Sequence, residues 1–299
     1  MLKGIPVYDL KRFTYQGKEG DFFADRFSEL LQEHGQVITT PHRHSFYFSI
    51  MFTRGSGQHE IDFHVYEVTP GSVFMMSPGQ VHSWRISKDV EGYVIIHKRE
   101  FYDLNFAHEK VNDLPFFNCI QNIPFIKLDE QQTVQLGSLY REIIEEYQSQ
   151  RLMKFQKIGS LLNVLYINLS RLYLPDLQLT AHQEIQLAQV RKFEQLVEKH
   201  FPEHKEPGKY AEMMFMTERN LNRICKNVLN RSVSELIAER INLEAKRMLI
   251  YTEYSITEIS AELGYLDNSY FARVFKKRTG KTPLEFQKAY RRRASIKLA

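Results

Sequence analysis

The chain has 299 residues, 43% of them hydrophobic and 25% charged, a globular composition that excludes a disordered chain or a fibrous repeat and leaves room for about two domains. Its net charge of +4 is unevenly shared: residues 182–299 hold 22 Lys and Arg against 15 Asp and Glu, a balance of +7, while the first 181 residues carry −3. No stretch reaches the ~20 apolar residues of a membrane span, residues 1–10 lack the apolar core of a secretion signal, and Cys119 and Cys225 alone build neither a disulfide framework nor a cysteine zinc cluster.

The expectation is therefore a cytoplasmic protein with no membrane contact, whose basic C-terminal part meets a polyanion. Residues 20–100 read as β structure. The runs Ser45–Phe52, Glu60–Val68 and Ser72–Met76 are rich in Phe, Tyr, Val and Ile. Turn signals separate them: Arg54-Gly55-Ser56-Gly57, Thr69-Pro70-Gly71 and Ser77-Pro78-Gly79. Short strands at this spacing predict a sandwich or barrel.

Histidines mark two of these strands. Pro41-His42-Arg43-His44 opens one, and Pro78-Gly79-Gln80-Val81-His82 lies at the edge of another. Residues two apart on a strand share a face, so His42, His44, Phe46, Phe48, Ile50 and Phe52 line one side. A third histidine from a neighbouring strand, His82, would complete a facial metal site. The pattern resembles the cupin barrel, in which His-x-His, a Glu four residues on and a later His hold a metal. Here Phe48 stands where that Glu is expected. The pocket is thus expected to contact a small polar effector through His42, His44, Phe48, His82 and Trp84, without a metal or other cofactor. Three-histidine metal sites do exist, which keeps open the alternative of a metal-dependent cupin enzyme fused to a DNA-binding part. His59, His64 and His97 have no matched spacing and read as ordinary surface or strand histidines. No nucleophile elbow, P-loop or dinucleotide fingerprint is present, so no catalytic residue is expected.

Residues 130–174 change to helical period. Val134, Leu136, Leu139, Tyr140, Ile143, Ile144 and Tyr147 mark one helix, and Ile158, Leu161, Leu162, Leu165 and Leu169 a second. Pro175 closes the latter, and 176–181 reads as a linker. The predicted domains are 1–175, with the barrel at about 20–100 and helices at about 130–174, and 182–299.

The C-terminal domain contains one sequence unit twice, offset by 50 residues. Leu221-Asn222-Arg223-Ile224-Cys225-Lys226 aligns with Phe271-Ala272-Arg273-Val274-Phe275-Lys276, and Asn230-Arg231-Ser232 with Gly280-Lys281-Thr282. In the second copy, Ser255 and Glu258 form a capping box. Gly264 ends that short helix, and Asp267 caps the next, which has Phe271, Val274 and Phe275 on its apolar side. Its other side carries Asn268, Ser269, Arg273, Lys276 and Lys277. A short helix, a tight turn and a second helix with a cationic outer face form the helix-turn-helix pattern. In the first copy the lead helix is 209–214, Thr217 is the cap, and Arg219, Asn222, Arg223 and Lys226 face outward. Met214 replaces glycine at its turn. The units span about 209–228 and 255–278. Between them, Ser234–Tyr251 reads as a rod of about 27 Å, with its apolar residues on one side. Such a rod would set two groove helices about one ~34 Å DNA turn apart.

Residues His182–Arg293 resemble the DNA-binding domain of AraC/XylS-family transcription regulators. The resemblance is carried by Ile256-x-x-Ile259-Ser260-x-x-Leu263-Gly264-Tyr265-x-Asp267-x-Ser269-Tyr270-Phe271-x-Arg273-x-Phe275-Lys276-Lys277-x-x-Gly280-x-Thr282-Pro283-x-x-Phe286. It implies an α+β multidomain chain: a cupin-like sensor barrel with trailing helices, then an all-α double helix-turn-helix domain. It implies base reading by Arg223 and Arg273 above all. The partners it implies are double-stranded promoter DNA, a small-molecule effector such as a sugar, a second copy of the chain paired through 130–174, and RNA polymerase. The family commonly has Phe where this chain has Cys225, which implies looser packing of the first groove helix.

Overall fold

The computed structural model describes residues 4–13, 20–106, 110–117, 123–174 and 180–296. Two compact units form, one within Pro6–Gln178 and one over Leu179–Ala299. Most of the expected linker, like Cys119, lies outside the described residues.

In the first unit the order is β1 (Val7–Tyr8), β2 (Phe22–Arg26), α1 (Phe27–Ile38), β3 (Arg43–His44), β4 (Tyr47–Arg54), β5 (Gly57–Ile61), β6 (His64–Val68), β7 (Ser72–Met76), β8 (His82–Ile86), β9 (Glu91–His97), α2 (Arg99–Asn105), β10 (Phe125–Lys127), α3 (Glu130–Gln148) and α4 (Lys154–Tyr173). One sheet has five strands in the order β10-β7-β4-β9-β2, a second has three in the order β6-β5-β8, and β1 pairs with β3. Neither larger sheet closes on itself among the described residues. The cupin-like enclosure comes from two sheets sharing one core, with an extra bridge between His42 and His82.

Strand β4 lies at the centre of the five-stranded sheet, and Tyr47–Phe52 are all buried. Alternation decides what each residue meets. Phe48, Ile50 and Phe52 point into the core shared with Ile61 and Trp84 of the smaller sheet. Tyr47 and Met51 pack in a second core with Tyr140 and Ile143 of α3 and Leu162 and Tyr166 of α4. Buried Ser49 bonds its hydroxyl to that of Tyr140. Helices α3 and α4 thus cover the outer face of the sheet, with Val134 left exposed.

Three features depart from the sequence expectation. The run Glu60–Val68 is two strands: Asp62 and Phe63, at φ 45° and 75°, make a two-residue hairpin turn of the kind that needs positive φ at both positions. The absence of glycine hid it. Helix α1 interrupts the β region, burying Phe27, Leu30 and Ile38 at helical spacing. Of the three histidines read as ordinary, only His64 is exposed; His59 and His97 are fully buried.

The second unit is helical: α5 (Ala181–His200), α6 (Pro207–Met213), α7 (Glu218–Leu229), α8 (Val233–Tyr251), α9 (Ile256–Glu262), α10 (Asn268–Thr279) and α11 (Pro283–Ile296). The repeat of 50 residues is kept in three dimensions. Thr217 and Asp267 cap α7 and α10, and Asn230 and Gly280 end them in the left-handed conformation, at φ 54° and 74°. The turns differ. Gly264 takes φ +69° in the second copy, whereas the first uses Phe215 at φ 55°, one place later. Cys225 is fully buried and burial pushes its thiol up to about 12, so it acts as a small core residue.

Helix α8 is not amphipathic in the expected way. Of its residues only Ser234 and Glu235 are exposed, because α5, α6 and α7 pack on it from one copy and α9 and α11 from the other. Lys205 adds a clip between the copies. Its Nζ donates to the carbonyls of Pro202 and Gly264, both at 2.9 Å, and stands 4.9 Å from the Tyr265 ring.

A side chain at Gly264 has no room: a Cβ there would lie 2.0 Å from the Pro202 oxygen, whereas one at Gly280 would meet nothing within 4 Å. Gly264→Ala should therefore destabilise the helical unit by more than about 2 kcal/mol, and Gly280→Ala by about 1 kcal/mol from its positive φ alone. Urea unfolding followed by helical circular dichroism measures both; equal losses would contradict the steric reading.

Candidate nucleic-acid interface and histidine pocket

Helix α7 buries Leu221, Ile224 and Cys225, and α10 buries Phe271 and Phe275. Helical period then fixes what faces solvent. Arg219, Arg223, Lys226, Asn268, Ser269, Arg273, Lys276 and Lys277 are all exposed. In both helices the arginine leans on the residue three before it. Arg223 Nη2 donates to Asn220 Oδ1 at 2.9 Å, and the Arg273 guanidinium stands 5.9 Å from the ring of half-exposed Tyr270. Both arginines are exposed, so each guanidinium presents donors outward.

Asn222 differs from its neighbours. It is half-buried, and its side-chain oxygen accepts from the Val233 N–H at 3.1 Å. It therefore fastens α7 to the start of α8, and its acceptor is committed inside the protein. Asn268 donates to Thr257 Oγ1 at 3.0 Å and ties α10 to α9 while remaining exposed. The Asp267 carboxylate accepts from the N–H groups of Ser269 and Tyr270, so the first turn of α10 already holds an anion. Sequence reasoning passed over the exposed apolar side chains at the turns, Phe215 and Leu266; only their exposure in the fold marks them.

In the β unit, His42, His44, Phe48, His82 and Trp84 do come together, in the core between the sheets. They line a cavity of about 30 Å³ with Phe13, Phe46 and other apolar side chains. That is room for a water molecule or two, far below the ~300 Å³ of a typical small-molecule site.

The histidines form a connected set. His42 Nδ1 donates to the Thr40 carbonyl at 2.7 Å, His44 Nε2 meets His82 Nε2 at 2.6 Å, and His82 Nδ1 meets His59 Nε2 at 2.8 Å. His59 lies flat on Trp84, with centroids 3.3 Å apart. The missed signal for His59 was its place two residues before Ile61, on the inward face of β5. Burial holds His42 down to about 4 and His44, His59 and His82 well below the ordinary histidine range, so all four are neutral at pH 7.

His97 is a separate buried histidine. Its Nδ1 donates to the Lys98 carbonyl, and its Nε2 accepts from the Tyr166 hydroxyl of α4 at 2.7 Å. It joins the sheet to its covering helix.

Comparison with known proteins gives the family. Residues 29–154 match the family described as "AraC-like ligand binding domain", and residues 210–289 match "Helix-turn-helix domain". The chain belongs to the AraC family of transcription regulators. The "HTH-type transcriptional activator RhaR" of Yersinia pseudotuberculosis serotype O:3 (strain YPIII) is 25% identical over 255 residues, covering 85% of this chain and 87% of that protein. The protein of the same name from Enterobacter sp. (strain 638) is 22% identical, covering 93% of this chain and 98% of its own. Among solved structures, the C-terminal domain of AraT, a response regulator from Geobacillus stearothermophilus, is 29% identical with a TM-score of 0.33, covering 34% of this chain and 84% of that one. The AraC-family chain is a DNA-binding transcription regulator. The alternative of a cupin enzyme falls with this finding, since the family and the relatives are regulators. No described helix is long and apolar enough to cross a membrane.

The neutral buried His97 makes stability of the β unit depend on pH. Burial depresses its folded value from 6.5 to about 4. Between those values the unfolded chain binds more protons, so stability falls as pH drops through this window. The single tryptophan, Trp84, lies in this unit, and its fluorescence follows unfolding there. Urea midpoints should fall from pH 7.5 to pH 4.5, and His97→Gln should make that fall smaller. An equal fall in the variant would show that His97 does not titrate with unfolding.

Proposed function

We propose that this AraC-family regulator grips promoter DNA with α7 and α10 in neighbouring major grooves. Arg223 and Arg273 are the base readers, each able to present a two-pronged donor to a guanine edge. Arg219, Asn268 and Ser269 flank them, and Lys226, Lys276 and Lys277 contact phosphates. Asn222 contributes by holding α7 against α8. The observation that carries the reading is the matched exposure of Arg223 and Arg273, 50 positions apart, on two helices each capped by a side chain at the same position of the repeat.

The β unit serves as the effector domain, with His42, His44, Phe48, His82 and Trp84 as the contacts. In its closed form the cavity has no room for a sugar ring. A sugar-sized effector would require the wall of Phe13, Phe46 and Phe48 to open. Binding would then shift the equilibrium between two domain states by its differential affinity for them. The exposed apolar side chains Val164 and Ile167 on α4 support pairing of two chains through the helices at about 130–174. Domains at 1–175 and 182–299 with a linker at 176–181, a place in the cytoplasm, and activation through RNA polymerase complete the reading.

DNA selected in vitro from a random pool supplies the operator, and its half-site symmetry reports the number of chains engaged. On that operator, Arg273→Ala should weaken binding by about 1–3 kcal/mol and relax the preference at one base pair. Lys276→Ala should weaken all sequences alike and reduce the slope of log K against log salt by about one. Unchanged affinity and unchanged preference in Arg273→Ala would remove α10 from the interface.

A further inference from the structure

We propose that Phe215 and Leu266, the apolar side chains at the two helix-turn-helix turns, read thymine. Each packs on a thymine C5-methyl group in the major groove entered by its own helix, α7 or α10. This rests on the reading of α7 and α10 as the groove helices and adds two specificity-determining residues to it. Phe215 stands two residues before Thr217, the cap of α7, and Leu266 one residue before Asp267, the cap of α10. They are 94% and 108% exposed, the highest values of any large apolar side chain described in the helical unit; Ile185 follows at 60%. One exposed apolar residue needs no explanation. Two of them, one at the turn of each copy and beside a face of Arg, Asn, Ser and Lys, form a pattern.

The backbone holds Phe215 outward at a cost. At φ 55° it takes the left-handed conformation that the second copy gives to Gly264, and that a bulky residue adopts unfavourably. The corner is tied on both sides: the Phe215 N–H donates to the Glu212 carbonyl and the Met216 N–H to the Ala211 carbonyl, each at 3.0 Å. Met214, just before it, is buried. Phe215 makes no ring contact among the described residues. In the second copy, Tyr265 turns inward to Tyr270 and Phe271, with centroids 6.0 and 5.4 Å away, and its neighbour Leu266 is left outside. Neither side chain adds to the core of its own unit.

The place of the turns selects the partner. The second helix of such a unit meets the base edges with its N-terminal residues, so the side chains just before its cap enter the groove beside them. Phe and Leu carry no hydrogen-bonding group. The base edges of the major groove offer donors, acceptors and a single alkyl group, the thymine methyl. Arg223 lies eight residues beyond Phe215, and Arg273 seven beyond Leu266. At ~1.5 Å of helix rise per residue and ~3.4 Å per base pair, each thymine falls about two to four base pairs from the guanine read by the same unit's arginine.

Uracil tests this, because it is thymine without the C5-methyl. Binding of the full chain is measured on the selected operator and on copies with one thymine at a time replaced by uracil. Wild type should bind about two- to tenfold more weakly when uracil replaces either of the two contacted thymines. Phe215→Gly, which suits the left-handed turn, should lose that sensitivity at the α7 thymine alone, and Leu266→Ala at the α10 thymine alone. Both variants should keep wild-type helical circular dichroism and the wild-type slope of log K against log salt, since an apolar contact releases no counterion. Wild-type indifference to uracil at every thymine overturns the proposal, as does an operator with no thymine within about four base pairs of either arginine's guanine. Variants as sensitive to uracil as wild type overturn it too; if they also bind normally but fail to activate transcription, the two side chains belong to a protein partner. In each of these outcomes Arg273→Ala still tests the groove-helix reading separately, and a chain that selects no DNA sequence removes both.

Discussion

Helix α8 must be buried on almost every side, and the helical unit is organised around that constraint. Both helix-turn-helix copies rest on it, so its position sets where α7 and α10 are held. A helix enclosed this way cannot keep its charges in water. Arg240 donates to Glu198 of α5 at 2.8 Å and to Glu244 at 3.1 Å, Arg247 donates to Glu244 at 3.1 Å, and the Arg240 guanidinium lies 4.1 Å from the Phe201 ring. Two arginines and two glutamates compensate one another. Replacing one partner would strand a buried charge, which costs about 3–5 kcal/mol. The network therefore ties α5 to α8 in one register, and apolar packing alone would specify that register less sharply.

The β unit solves a related problem with β4, which is buried on both faces. One face meets the smaller sheet through aromatic side chains, and the other meets α3 and α4. Polar groups inside this construction are joined in pairs: Ser49 with Tyr140, and His97 with Tyr166. The histidine cluster is less complete: three of its ring nitrogens, like Ser170 Oγ of α4, lack hydrogen-bond partners among the described residues.

The C-terminal part was the more legible in sequence, for a local reason. Caps, stops and positive φ are decided within four or five residues, and Ser255 with Glu258, Asp267, Thr217 and Gly264 all act where their spacing places them. The same period that assigned Phe271 and Phe275 to the core left Arg273 outside. The face of His42, His44 and Phe48 was also readable, because strand alternation is strictly local. The hairpin at Asp62-Phe63 escaped because its turn lacks the usual glycine. Helix α1 escaped because it follows strand β2 directly and Arg26, at its start, makes no side-chain cap to mark it. Asn222 appeared to belong with the outward residues until Val233, eleven positions on, supplied the N–H that holds it.

The amino-acid sequence by itself determined the helices of the two helix-turn-helix units and the rod between them, their duplication, their basic outer faces and the inward set of histidines and aromatics. Each depends on neighbours along the chain and on the fixed periods of helix and strand. Tertiary structure alone decided that α8 is enclosed, that His59 joins the cluster from another strand, and that the pocket closes to about 30 Å³. These depend on which distant segments pack together, and no local period carries that information.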